Sequence, residues 1–385
     1  MHQMKKIVLA FDSFKGCMSA EEACNAAAMG VHSTLPGAEV VALPMSDGGE
    51  GLVECVRKMI PTTPRSIMVV GPMSKKVEAT YAIATDGYTA YMEMAAASGL
   101  TLVAENERKP MMATTYGVGE MIADAIQQGC KKIVMGIGGS ATCDGGKGMV
   151  EALRNCGLLS SDAIKDTKIV VACDVDNPLY GKNGAAYIFA PQKGATKEEV
   201  EVLDKRLRSF AHDTELLGIA TPATALQPGT GAAGGLGYAL LAYLKAELKA
   251  GIEIMLDIDN FDNTIKDADI VVTGEGKSDH QTMMGKVAHG VMKRCRKANK
   301  PIWLLSGTID DKEGMLTKNF DLVKSINDGD SRPLPILMQK ETAMKNMKKT
   351  IGNLCLHLIT FNNYTTTKFL KQYGHQENYK PLDWR

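Results

Sequence analysis

The sequence predicts a two-domain α/β protein, in which a doubly wound parallel-sheet domain is built from both ends of the chain and a second mixed α/β domain is inserted between them. Three observations predict it. At 385 residues the chain is too long for one ordinary core. Short apolar strands alternate with helices at the start of the chain and again from about residue 268, as in a parallel sheet covered on both faces. Between these stretches the texture changes to hairpin-like strands and Gly-rich loops. The expected boundaries are 1–65 and 268–385 for the outer domain and 66–267 for the insert.

Lys6–Phe11 reads as a strand, and Ser19 with Glu22 forms a capping box that opens an Ala-rich helix to about Thr34. Pro36-Gly37 turns the chain into a strand at Glu39–Pro44, and a helix follows from about Leu52 to Ile60. Beyond Pro61 and Pro64, Ser66–Val70, Val77–Thr85 and Thr89–Met94 read as strands paired around Asp86-Gly87. A helix near Thr115–Gln128 is stopped by Gly129, and the strand Lys132–Ile137 leads into a Gly-rich loop and a helix at Lys147–Asn155. Lys168–Cys173 is a strand, and a Thr196–Glu199 capping box starts an amphipathic helix ending near Leu217. Gly229–Gly237 leads into a helix expected to end at Gly251. The last elements are strands at Asp269–Thr273, Pro301–Leu305 and Leu322–Ile326, with helices at Gly285–Ala298 and Thr342–Thr360. The tail after Phe361 has weak periodicity and is assigned no role.

An apolar share of 45% with 23% charged residues excludes a disordered or collagen-like chain. Acidic and basic residues balance at 44 each, so no net field favours a nucleic-acid or membrane partner, although a local basic pocket remains compatible. Aromatics at 5% also argue against base-stacking surfaces. Asp12, Ser13 and Lys15 cut the first apolar run too short for a signal peptide, and no run approaches the ~18 residues of a bilayer span. A cytoplasmic location is expected. Nine scattered cysteines without a C-x-x-C pair read as reduced thiols, and seven histidines without an H-x-x-x-H cluster argue against zinc.

Four acidic or Gly-rich segments each follow a strand: Asp12–Gly16, Asp47–Gly51, Gly138–Gly146 and Gly274–Thr282. Ligands of parallel α/β sheets bind outside the carboxyl ends of strands, where helix N-termini offer unpaired N–H groups and Gly lets backbone approach an anion. Singly, each segment is equally a plain turn; together, three from one domain line one sheet edge. No P-loop is present, because Val271 stands where Gly276-Lys277-Ser278 needs its first Gly. Gly229–Gly234 matches a dinucleotide fingerprint literally, but no clear strand precedes it and no acidic partner follows. That run reads rather as a site of tight backbone packing, or as the cap of an anion site at the helix near Leu236.

Asp12-Ser13-Phe14-Lys15-Gly16, Ser46–Gly51, Gly136–Thr142 with Asp144-Gly145-Gly146, Ala172–Leu179, Pro228–Gly235 and Thr273–Gly276 together resemble the bacterial type I glycerate kinase family, in order over about residues 5–360. The resemblance implies ATP-dependent phosphorylation of D-glycerate and a flavodoxin-like outer domain. It leans toward 2-phosphoglycerate, with 3-phosphoglycerate as the alternative. The chain departs from the family's usual residues at Cys17, Cys143, Ser278–Thr282 and Ala288, but the carboxylates and glycines stay in place.

A kinase for this acid needs phosphate donors, Mg²⁺ ligands, a cation for the substrate carboxylate and a base for the hydroxyl proton. Asp12, Ser13, Lys15, Glu50, Glu275 and Gln281 are the expected substrate contacts, and Lys15 also meets a phosphate in one reading. Asp47 and Asp279 are rival general bases. Gly138, Gly139, Ser140, Thr142, Asp144, Gly145 and Gly146 are expected to cradle the ATP phosphates, assisted by Lys286. Asp174 and Asp176 alternate after a strand, so only one points into a given cleft unless the chain turns at Asn177-Pro178. They are the candidate Mg²⁺ ligands. His280 and His289 read as hydrogen-bonded fillers. The two-domain plan suggests hinge closure, and homo-oligomerisation is left open. The rival functions are a nicotinamide-dependent hydroxy-acid oxidoreductase, resting on Gly229–Gly234, and a non-catalytic carboxylate-binding protein.

Overall fold

The structure is a computed structural model that describes residues 5–46 and 51–361, the last four of these by backbone alone. It divides into two compact units, Met1–Asp47 with Met255–Arg385 and Gly48–Ile254. The breaks fall earlier than the expected 65/66 and 267/268, for reasons of local packing. The helix Leu52–Met59 packs on the strand Thr89–Glu93, and Gly51 N–H donates to Glu93 Oε1 at 2.9 Å, which ties this segment to the insert. Conversely, Arg294 donates to Asp257 at 2.6 Å and to Asp262 at 2.9 Å, which ties 255–267 to the outer unit.

The outer unit holds a five-stranded, all-parallel sheet. Its spatial order is Leu322–Ser325, Ile302–Ser306, Ile270–Gly274, Lys6–Phe11 and Glu39–Ala42. Counted along the unit that order is 5-4-3-1-2, the flavodoxin-like winding. Its three central strands are unbroken apolar runs because both faces are covered: Ile7 to Phe11, Ile270 to Val272 and Ile302 to Leu305 are all buried. The helix Ala20–Thr34 starts where expected, with both bonds of the Ser19–Glu22 capping box formed, at 3.1 and 2.8 Å. It buries Ala23, Cys24, Ala27 and Val31. Gly30 lets it lie close against the helix Lys340–Phe361, since a Cβ there would sit 2.3 Å from Ile351 Cγ2 and 2.4 Å from the Lys348 carbonyl oxygen.

The inserted unit holds a six-stranded mixed sheet in chain order: Thr62–Val70, Lys76–Ala84, Thr89–Glu93, Lys132–Gly136, Lys168–Ala172 and Glu247–Lys249. The first three are antiparallel neighbours and the rest pair in parallel. The first strand begins at Thr62 and runs through Pro64, which an edge strand tolerates because one row of its N–H groups has no ladder partner. The helix after the Gly-rich stretch spans Ala232–Leu244, not the expected run to Gly251. Lys245 in a left-handed conformation, φ +53°, ends it; the short charged edge strand Glu247–Lys249 and a new helix, Gly251–Ile258, follow. Among the described residues no helix is long and apolar enough to cross a membrane, and all nine cysteine thiols are free.

Candidate active site

The winding of the outer sheet reverses between Lys6–Phe11 and Ile270–Gly274, and open parallel sheets bind ligands beyond the carboxyl ends of strands at such a point. Both strands run directly into candidate residues. Asp12 N–H donates to the Gly274 carbonyl at 2.9 Å, extending the pairing by one residue, and Asp12 Oδ1 then accepts from Ser13 N–H at 2.6 Å as the chain turns. Phe14 and Met18 exchange backbone hydrogen bonds of 2.9 and 3.1 Å, closing a loop that leaves Lys15 exposed. On the neighbouring strand Gly274 is obligatory, because a Cβ would stand 1.7 Å from the Leu305 carbonyl oxygen.

Glu275 follows and is buried. Its Oε1 accepts from Thr282 Oγ1 at 2.6 Å and Ser278 Oγ at 3.2 Å, while Lys286 Nζ lies 3.7 Å from Oε2. Ser278 and Ser306 share a hydroxyl hydrogen bond of 2.7 Å, so the carboxylate is anchored through two elements. Glu275 and Lys286 line a cavity of about 330 Å³, within the range of small-molecule sites. Asp12, Ser13, Lys15, Glu275, Lys277 and Lys286 belong to its polar lining, with Thr308 and Asn327, and Leu334, Leu337 and Met338 form an apolar wall. Lys277 is paired with Asp279, so Lys15 and Lys286 stand against Asp12 and Glu275 and leave a polar pocket carrying charges of both signs, suited to a small hydroxylated anion.

Of the expected substrate contacts, Asp12, Ser13, Lys15 and Glu275 are therefore brought together. Gln281 is exposed and outside the cavity lining. Asp279 is also outside it. Its carboxylate caps the short helix His280–Met283, accepting from Gln281 N–H at 2.9 Å, and pairs with Lys277 Nζ at 2.9 Å. The lysine's hydrogen bond holds this carboxyl below the usual carboxylate range, which weakens it as a base. His289 Nδ1 accepts from Gly285 N–H at 3.2 Å, a hydrogen-bonded role rather than a chemical one. Lys286, expected at the phosphate cradle, lines the outer unit's cavity instead. Asp47 and Glu50 lie outside the described residues.

The inserted unit has its own cavity of about 250 Å³, at the carboxyl ends of Lys132–Gly136 and Lys168–Ala172. Gly138, Gly139 and Ser140 line it. Leu100 N–H donates to the Gly139 carbonyl at 2.8 Å and Ala141 N–H to the Ser98 carbonyl at 2.9 Å, which pins the loop. Gly138 and Gly139 are exposed, and their N–H groups have no acceptor among the described residues.

The rest of the expected cradle is scaffolding. The Asp144 carboxylate accepts from Thr115 N–H (2.9 Å), Thr115 Oγ1 (2.8 Å), Gly146 N–H (3.1 Å) and Gly148 N–H (3.1 Å), and so ties two helix starts together. Gly145 and Gly146 take left-handed φ of +72° and +79° and pack against Phe210 and Ala239, while Thr142 is buried. None of Thr142, Asp144, Gly145 and Gly146 lines the cavity. The Gly229–Gly235 run packs against this turn: a Cβ on Gly234 would lie 2.0 Å from the Thr142 carbonyl oxygen, and Gly145 N–H donates to the Gly234 carbonyl at 3.0 Å. Close backbone packing accounts for these glycines, and the oxidoreductase reading loses its one support.

Asp174 lines the same cavity, with Oδ1 accepting from Gly251 N–H at 2.9 Å; Asp176 is exposed and does not. Among the described residues no three His, Cys, Asp or Glu side chains cluster as a metal cage. Sequence reasoning missed Lys193. It is buried at 2% exposure and donates to Ser140 Oγ at 2.6 Å and to the Thr142 carbonyl at 2.7 Å. Burial pulls its pKa down to about 8. It sits in a single turn, Pro191–Lys193, before Gly194, so no periodicity in the sequence announces its burial.

Comparison with known proteins agrees with this architecture. The pattern of the glycerate kinase family matches residues 7–159 and 157–356. The glycerate kinase of Bacillus subtilis (strain 168) is 41% identical over 376 residues, covering 91% of this chain and 96% of its own length. The glycerate 2-kinase of Escherichia coli (strain K12) is 41% identical over 346 residues, covering 83% and 90%. A crystal structure of a protein provisionally assigned as glycerate kinase 2, from Salmonella typhimurium LT2, superposes with a TM-score of 0.77 at 37% identity, over 94% of this chain and all of the other. Matched along nearly its whole length by the family pattern, by these relatives and by a solved structure, the chain belongs to the glycerate kinase family.

Proposed function

We propose that this chain transfers the γ-phosphoryl group of ATP to the 2-hydroxyl of D-glycerate, as a cytoplasmic enzyme of the bacterial type I branch. The observation that carries the reading is the cavity at the sheet's switch point, where Lys15 and Lys286 stand beside the carboxylates of Asp12 and Glu275. Lys15 and Lys286 hold the substrate carboxylate, and Asp12, Ser13 and Glu275 orient its hydroxyls. Asp47 takes the proton of the attacking hydroxyl, since Asp279 is committed to its cap and to Lys277. The open N–H groups of Gly138 and Gly139 bind the nucleotide phosphates.

The residues present fit Mg²⁺, which keeps several waters and takes one or two carboxylates together with substrate phosphate. Asp174 would supply that carboxylate; Asp176, outside the cavity lining, would not. Bound there, the ion would neutralise charge on the phosphate oxygens. The test is ADP release with ATP and Mg²⁺ in the presence and absence of D-glycerate. Release that requires D-glycerate supports the reading, and release indifferent to it refutes it.

A further inference from the structure

Lys193 is a buried ammonium beside the glycine loop, where the buried Thr142 Oγ1 also lacks a hydrogen-bond partner. An ammonium taken out of water costs several kcal/mol unless it is paired. Its two partners are neutral oxygens, Ser140 Oγ at 2.6 Å and the Thr142 carbonyl at 2.7 Å. Among the described residues no carboxylate pairs with it, and these two bonds occupy two of its three N–H donors. It lines the 250 Å³ cavity together with Gly138 and Gly139, whose N–H groups also lack acceptors. Three donors, one of them charged, thus line one cavity, whose one carboxylate among the described residues, Asp174, accepts from Gly251 N–H and does not pair with Lys193.

We propose that Lys193 is the nucleotide-binding cation of this enzyme, donating to a phosphate oxygen of ATP held on the Gly138–Ser140 loop. This rests on the reading that the loop takes ATP, and it adds the counter-charge that the sequence did not reveal. A buried charge-assisted hydrogen bond to phosphate is worth roughly a ten- to hundredfold change in apparent affinity.

The test compares wild type with Lys193→Met, which keeps length and removes charge. The variant is expected to raise KM for ATP about ten- to hundredfold, to leave KM for D-glycerate within about threefold, and to lose the rise in melting temperature that ATP gives wild type. A folded variant with KM for ATP within threefold of wild type overturns the assignment. If the variant does not fold, the wild-type pH profile decides. kcat/KM for ATP should fall as one proton is lost near pH 8, because burial lowers the ammonium's pKa to about 8. The other ionisable groups facing it are the Asp144 carboxylate, Asp174 in the same lining, and the Cys143 thiol, which burial pushes up to about 11. A profile flat to pH 9 overturns the assignment. Failure of the kinase reading itself looks different: the wild type would then show neither an ATP-induced melting shift nor glycerate-dependent ADP.

Discussion

Lys193→Met should change how stability depends on pH, independently of any ligand. Burial lowers the lysine's pKa from its ordinary 10.5 to about 8, which corresponds to about 3 kcal/mol at about 1.4 kcal/mol per pH unit. The sign follows from proton binding. Below pH 8 both the folded and the unfolded chain are protonated, and the fold carries the whole cost of the buried charge. Between about 8 and 10.5 the unfolded chain binds the proton more tightly than the folded one, so stability rises with pH. The assay is urea unfolding of ligand-free wild type and Lys193→Met at intervals from pH 7 to pH 10. The stability difference, wild type minus variant, cancels the other titrating groups that the two proteins share. It should move in favour of wild type by roughly 2–3 kcal/mol across the window. Loss of the donor to Ser140 Oγ and the Thr142 carbonyl adds an offset that does not vary with pH. A difference that stays level from pH 7 to pH 10 would refute the buried, charged lysine on which the nucleotide assignment depends.

Three further outcomes are expected. Gly234→Ala combines a left-handed φ of +67° with a Cβ 2.0 Å from the Thr142 carbonyl oxygen, and should cost about 3 kcal/mol or more, seen as a melting temperature roughly 6–12 °C lower; wild-type melting would contradict the packing role. Asp279→Asn should keep turnover within about tenfold, whereas Asp47→Asn should lower kcat by about 10²–10⁴; the reverse ranking would return the base role to Asp279. Lys286→Met should raise KM for D-glycerate about tenfold while KM for ATP stays near wild type, and the opposite split would move Lys286 to the phosphates, where the sequence first put it.

Local signals carried most of the fold. The Ser19–Glu22 and Thr196–Glu199 boxes place their helices to the residue, because capping is decided by neighbours in the chain. The buried strands Lys6–Phe11 and Ile302–Ser306 show as unbroken apolar runs because both faces of the sheet are covered. Glu247–Lys249 was not legible: three charged or half-buried edge residues carry no alternation, and Lys245 ends the preceding helix without the usual Gly. At the site, Asp12, Ser13, Lys15 and Glu275 were legible because each follows the end of a strand. Asp144, Gly145 and Gly146 look the same in sequence, but their donors and acceptors are spent on Thr115, Gly148 and Gly234. Lys193 was invisible because only tertiary packing brings it under Ser140. That Lys286 stands 3.7 Å from Glu275 was not legible, because the two are eleven residues apart across a turn whose course the sequence does not fix.

The most direct measurement is proton-coupled phosphorus NMR of the product formed from ATP, Mg²⁺ and D-glycerate. Phosphate on the 2-hydroxyl couples to a single carbinol proton and gives a doublet, which is the expected result. A triplet from the two methylene protons would mean transfer to the 3-hydroxyl, and a spectrum showing only ATP, or only ADP with inorganic phosphate, would contradict the kinase assignment itself.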